Sequence, residues 1–194
     1  MKLSADLVCA SPAGWIETVL ARFDEFLLDH ANCERKASSM AMSFVARYPD
    51  RLEIIPELIE TAIEELEHFQ KVYLLMEERG LQLPHKIEED KYVKELLRHC
   101  RTGRDERFID RMLWASVIEC RGAERFRMVY QSLPPGTLKE FYHQLWASEA
   151  KHGHIFVKML LHYYDEAPVY ARLEELVDIE AATLLALPLR PALH

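Results

Sequence analysis

Apolar side chains recur every three or four residues along most of this 194-residue chain, the period of helices that bury one face. One stripe runs Ile16, Leu20, Phe23, Leu27, Ala37, Ala41, Phe44. A second holds Leu58, Ala62, Phe69, Val72 and Met76, and a third Met112, Ala115, Ala123, Phe126 and Tyr130. The fourth holds Leu138, Tyr142, Leu145 and Phe156. Four long amphipathic helices are therefore predicted.

Capping residues and prolines bound them. Ser11-Pro12 opens the first helix, which runs to about Tyr48 before Pro49, with a candidate break where Asp29 could cap a segment starting at His30. Asp50-Arg-Leu-Glu53 reads as a capping box for the second, ending at Arg79-Gly80. Residues 81–103 form a long crossover with a short helix from about Tyr92 to Cys100. The third helix spans Arg104 to Ser132, Pro134-Pro135-Gly136 makes a turn, and the fourth runs to about Tyr164. Pro168 opens a short terminal helix, about Val169 to Leu185, and the Pro188/Pro191 tail is expected to be loose.

Polar residues interrupt those stripes at matched places. Glu65 and His68 lie on the second stripe, Glu149 and His152 on the fourth, and Glu34 and Glu119 on the first and third. The chain thus reads Glu…Glu-x-x-His twice, with Glu-to-Glu spacings of 31 and 30 residues. Positions i and i+3 stand about 60° apart on a helix, so each Glu-x-x-His aims two ligands one way. A third pair, Glu140/His143, falls on the polar side of its helix and reads as solvated. Glutamates on core-facing stripes need a compensating cation. Buried salt bridges are one answer, but few lysines or arginines share the stripes. A dinuclear carboxylate centre held by Glu34, Glu65, His68, Glu119, Glu149 and His152 is the other, and the same six residues would carry the catalysis.

Short connections within each half make antiparallel pairs, so the expected architecture is all-α: a ferritin-like four-helix bundle of two hairpins joined by a crossover, with a short extra C-terminal helix. The length suits a single domain over 1–194, its core about 12–166.

Composition narrows the class. The chain has no run of eighteen apolar residues and no signal-peptide pattern, which predicts a cytoplasmic protein without a membrane partner. Cys9, Cys33, Cys100 and Cys120 are scattered without a Cys-x-x-Cys, excluding a rubredoxin-type centre and a disulfide scaffold, and they read as buried thiols. No flavin, nicotinamide or iron–sulfur motif is present, so redox chemistry would need an external electron donor. Around Glu119, the small residues Ala115, Ser116, Gly122 and Ala123 would fit either a substrate pocket or a close helix approach. His30, one turn before Glu34, is open as an extra ligand, a supporting group or a hydrogen-bonded core histidine, and Tyr130 and Tyr142 as core aromatics or electron-transfer groups.

The segments His30-Ala-Asn-Cys-Glu34-Arg-Lys-Ala, Glu64-Glu-Leu-Glu-His68-Phe, Ile118-Glu-Cys-Arg-Gly-Ala-Glu-Arg125-Phe and Ser148-Glu-Ala-Lys-His152 resemble the bacterial tRNA hydroxylases of the MiaE type. The resemblance runs from the first helix into the fourth, with all six ligand positions kept. It implies a non-haem di-iron monooxygenase that uses O2 and an external reductase or electron carrier. The implied substrate is tRNA carrying 2-methylthio-isopentenyladenosine beside the anticodon, hydroxylated on its isopentenyl group. The family implies iron where the ligands alone also admit manganese. A ferritin-like di-iron or dimanganese oxidoreductase acting on a small molecule or peroxide is the alternative.

The net charge is −8, yet seven basic and four acidic residues lie between Lys91 and Arg111. Arg104, Arg107 and Arg111 follow at helical spacing and Arg125 continues their flank, a candidate phosphate-binding stripe. A solvated face paired with Asp105, Glu106 and Asp110 is the plainer reading, and the resemblance to a tRNA enzyme favours the former.

Overall fold

The computed structural model describes residues 6–85 and 89–194. Among the described residues there are seven α-helices and no strand: α1 Gly14–Ala21, α2 Phe23–Arg47, α3 Ile55–Glu78, α4 Lys91–Leu97, α5 Arg104–Ser132, α6 Thr137–Leu160 and α7 Glu166–Ala186. They pack as two compact units. One gathers Glu89–Leu189, the segment up to Ile16 and the terminal His194; the other runs from Glu17 through the α2/α3 hairpin and includes Arg190–Leu193.

In the α2/α3 hairpin, Arg79 Nε donates to Asp24 at 2.7 Å and Ser38 Oγ donates to the Ala62 carbonyl at 2.7 Å. Residue numbers that fall on one helix as they rise on the other make the pair antiparallel. The facing stripes, Phe26, Leu27, Ala41 and Phe44 against Leu58, Val72 and Met76, are buried. α3 closes in a Schellman turn: Gly80 takes φ 69°, its N–H reaches the Glu77 carbonyl, and Leu81 N–H reaches Met76.

Two expected caps are corrected. The first helix breaks at Arg22 (φ −134°, ψ 48°), not before His30. Asp29 is mid-helix, where its carboxylate accepts the Leu193 N–H at 2.7 Å. The Asp50/Glu53 capping box does not start α3. Leu52–Ile54 forms a 3-10 turn and the α-helix begins at Ile55, with Pro56 in its first turn. Proline's fixed φ and missing N–H suit that position, so it decides where the helix opens.

In the other unit, Phe126 meets Tyr142 (centroids 5.8 Å), Phe108 meets Tyr164 (6.4 Å) and Ser116 Oγ donates to the Gly153 carbonyl at 2.6 Å. α5 and α6 are thus antiparallel as well. Gly153 marks a close approach: a Cβ there would sit 2.6 Å from Cys120 Sγ. Gly122, the glycine that sequence singled out, would place its Cβ no nearer than 3.9 Å from His194 Nε2. Gly122 does not mark the helix contact.

α4 starts one residue early, because the Asp90 carboxylate accepts the Val93 N–H at 3.0 Å, and it ends at Leu97 rather than Cys100. α7 begins at Glu166, with Pro168 tolerated inside its first turn. The tail is not loose: Ala192 and Leu193 are buried, and His194 stacks on Tyr92 at 5.6 Å. All four cysteines are half-buried rather than fully so. No helix among the described residues is long and apolar enough to cross a membrane.

Candidate metal centre

Each hairpin gathers one glutamate from its first helix and a Glu-x-x-His from its second. In α2/α3, Glu34, Glu65 and His68 are all buried, and each offers a donor atom within 4.8 Å of the others. His68 Nδ1 lies 3.8 Å from Glu34 Oε2 and 3.8 Å from Glu65 Oε2. These spacings are too long for hydrogen bonds. Two donors bound to one ion at roughly 2.0–2.2 Å stand about 3–4 Å apart, so the trio fits a shared cation.

Glu34 has a second neighbour. His30, fully buried one turn earlier, holds Glu34 Oε1 at 2.6 Å and packs against Phe26. Of the three roles open from sequence, this contact with a candidate ligand fits the supporting one. Such a partner fixes a ligating carboxylate's orientation.

In α5/α6, Glu119, Glu149 and His152 form the corresponding trio, again within 4.8 Å of one another. His152 Nδ1 lies 3.1 Å from Glu149 Oε2, the same nitrogen facing the same partner as in the first hairpin. Glu119 is 8 % exposed, Glu149 2 % and His152 0 %, so these carboxylates are as deeply placed as the sequence pattern requires. Glu140 and His143 are exposed, as expected of a solvated pair. The donor set is oxygen-rich with imidazole, which suits iron or manganese.

The arginines nearest Glu119 in the chain are engaged elsewhere. Arg121 is fully buried: Nε and Nη2 donate to the two oxygens of Glu180 at 2.8 and 2.9 Å, and Nη1 donates to Glu124 at 2.6 Å. Burial pulls the Arg121 guanidinium's pKa down, but hydrogen bonds and charge from Glu180 and Glu124 overturn that and raise it. Tyr92 donates to the same Glu180 at 2.7 Å, and burial, with the Glu180 charge, pushes its phenol well up. This knot ties α5 to α7 and α4, and sequence reading missed it. Its signal was available: Glu180 sits on the α7 stripe with Leu173, Leu176, Val177 and Leu184.

The basic flank divides. Arg104 and Arg107 are exposed and Arg111 is half-buried, but Arg125 is only 4 % exposed. Its Nε donates to Ser11 Oγ at 3.0 Å, its guanidinium lies 4.7 Å from the Trp15 ring, and burial lowers its pKa to about 10. Arg125 therefore does not continue the exposed flank; the N-terminal segment covers it. Asp110, an expected partner of that flank, is turned inward to Arg101 (2.7 Å) and Arg172 (3.0 Å).

The family model for tRNA-(MS[2]IO[6]A)-hydroxylase (MiaE) matches residues 2–194. The chain belongs to the MiaE family. It is 36 % identical over 187 residues to the tRNA 2-(methylsulfanyl)-N(6)-isopentenyladenosine(37) hydroxylase of Pseudomonas putida, covering 96 % of this chain and 90 % of that one. The enzyme of the same name from Salmonella typhimurium is 26 % identical, over 93 % and 84 % of the two chains. Among solved structures, one described as protein 43 with aldehyde deformylating oxygenase activity, from Synechococcus, superposes with a TM-score of 0.90. It is 33 % identical, over 98 % of this chain and 93 % of that one. The fold is all-α and ferritin-like, and the MiaE words quoted above coincide with the two buried trios and the Arg121 knot.

Proposed function

We propose that this chain is an O2-dependent, non-haem di-iron monooxygenase of the cytoplasm. It hydroxylates the isopentenyl group of 2-methylthio-isopentenyladenosine beside the anticodon of tRNA. The observation that carries this reading is the pair of buried Glu/Glu/His trios, one per hairpin, in a chain matched to the MiaE family from end to end.

Glu34, Glu65 and His68 would hold one iron and Glu119, Glu149 and His152 the other. Carboxylates can bridge two ions and tolerate both ferrous and ferric states, and each imidazole supplies one terminal bond. Bound there, the iron pair would supply reductive activation of O2. His30 keeps Glu34 in its binding orientation. Arg104, Arg107 and Arg111 hold tRNA phosphates, which position the substrate without reading its sequence. Arg125 supports that region from inside, by anchoring Ser11 and Trp15. Electrons come from an external reductase or carrier, in keeping with a sequence that has no flavin, nicotinamide or iron–sulfur motif.

The test is reconstitution with ferrous iron, a chemical reductant and O2, using tRNA from cells that lack the hydroxylase. Nucleoside mass spectrometry should find one oxygen atom added to the modified adenosine. The relative with aldehyde deformylating oxygenase activity favours a second reading, a small-molecule substrate. Turnover of an aldehyde with none of the tRNA would select it.

A further inference from the structure

Three rings that the metal chemistry does not use form a cluster on the α5/α6 hairpin. Tyr130 and Trp146 are stacked, with centroids 6.0 Å apart and planes 19° from parallel. His143 lies 4.8 Å from Tyr130 and 5.8 Å from Trp146. Lys139 Nζ stands 5.0 Å from the Tyr130 centroid, its ammonium tethered to the Leu133 carbonyl at 3.0 Å. His143 is exposed, while Tyr130, Trp146 and Lys139 are half-buried.

Other residues fill the core of this hairpin. Tyr142, beside His143 in sequence, is the residue that turns inward and packs on Phe126, and Leu145 is buried one turn later. The other two tryptophans, Trp15 and Trp114, are each 1 % exposed. One indole is therefore left half-exposed, in a preset stack with a tyrosine, a histidine and a cation beside it.

We propose that Tyr130, His143 and Trp146 form a stacking platform for an unpaired nucleobase of the substrate RNA, with Lys139 meeting the adjacent phosphate. Unpaired bases are bound on aromatic faces in this way, because every base has a π-face and a stack is desolvated without needing a matched donor pattern. The placement suits a loop nucleotide near the reacting one. Trp146 is three residues from Glu149 and Tyr130 eleven from Glu119, roughly 5 Å and 16 Å along their helices at about 1.5 Å per residue. At a rise of about 3.4 Å per nucleotide, those offsets correspond to about one to five nucleotides. The inference rests on the RNA substrate proposed above.

The test uses the full chain loaded with iron and a synthetic anticodon stem-loop RNA, with a fully paired duplex of equal charge as control. Trp15 and Trp114 are buried, so tryptophan quenching on RNA addition reports Trp146. The stem-loop should quench emission and the duplex should not, and Trp146→Phe should remove the quench while keeping affinity within about threefold. Trp146→Ala should weaken stem-loop binding by about tenfold, as loss of one base stack does, and leave duplex binding as it was. If Trp146→Ala fails to fold, His143→Ala, an exposed change, should still weaken stem-loop binding several-fold. Equal quenching by duplex, no quenching by bound stem-loop, or alanine variants that bind as the parent does would each overturn the platform. A parent protein that hydroxylates tRNA without quenching removes the platform alone. One that binds and quenches but adds no oxygen removes the proposed reaction and leaves the platform standing.

Discussion

Arg121 and Glu180 meet through two hydrogen bonds, 2.8 and 2.9 Å long, with neither side chain reached by solvent. Removing the arginine leaves the Glu180 carboxylate buried without its cation, which costs about 3–5 kcal/mol. Arg121→Met should lower unfolding free energy by about that amount, and Glu180→Gln by less because Glu124 still pairs with Arg121, both read from urea titrations. The Arg121→Met/Glu180→Leu double variant should recover part of the loss.

The ligand trios make a different demand. Glu119→Ala or His68→Ala should abolish hydroxylation and lower bound iron while far-ultraviolet circular dichroism stays helical. His30→Ala keeps all six ligands but releases Glu34, so metal affinity should fall by about 10–100-fold with binding still measurable. In a metal-loaded crystal, all six donors should lie within roughly 2.0–2.3 Å of an ion. Glu119 or His152 turned to solvent there would sink the assignment.

Acid should find Asp110. Burial would raise its carboxyl pKa, but hydrogen bonds from Arg172 and Arg101 overturn that and hold it below the usual carboxylate value. A folded pKa below the unfolded one, about 3.9, stabilises the fold at pH values above it. The contribution disappears as pH falls through the folded value. Stability of the parent protein should therefore decline below about pH 4 more steeply than that of Asp110→Asn, measured by urea unfolding across that range.

Two kinds of arginine should separate on the basic flank. Replacing Arg104, Arg107 and Arg111 together with glutamine should raise KM for tRNA and flatten its salt dependence, because fewer counterions are released on binding. Arg125→Gln should instead lower the melting temperature, since its guanidinium is spent on Ser11 and Trp15, and leave the salt slope as it was. A triple variant with unchanged slope would move the phosphate contacts elsewhere.

Gly153 and Gly122 should answer differently to alanine. A Cβ at Gly153 would stand 2.6 Å from Cys120 Sγ, so Gly153→Ala should cost about 1–3 kcal/mol by overpacking. Adding Cys120→Ala removes the sulfur and should return most of that loss. At Gly122 the nearest atom is 3.9 Å away, and Gly122→Ala should be neutral or stabilising by up to about 1 kcal/mol.

The helical period was enough to separate Glu149 and His152, which are buried, from Glu140 and His143, which are exposed. It does not say which cation a buried glutamate meets. Glu180 lies on a stripe as apolar as that of Glu65, and its counterion is an arginine fifty-nine residues away. Two of the misses share one cause. Asp29 looks like a cap until Leu193 arrives to use its carboxylate, and Arg125 looks exposed until Ser11 and Trp15 cover it. Each depends on a segment more than a hundred residues distant, of which a local pattern carries no trace. The Asp50/Glu53 box was lost to a local competitor instead, Pro56, whose ring sets the first turn.

The two serine-to-carbonyl bonds, Ser38 to Ala62 and Ser116 to Gly153, act as rulers between paired helices. Apolar stripes tolerate sliding, since one methyl resembles the next. A hydroxyl aimed at a single carbonyl does not, and a slip of one residue would move a helix by about 1.5 Å and turn it by about 100°. Glu34 and Glu119 each sit about one turn from such a ruler. Sequence drift in the surrounding hydrophobic residues can therefore be absorbed by repacking, while the height of the two trios stays calibrated by two small polar side chains outside them.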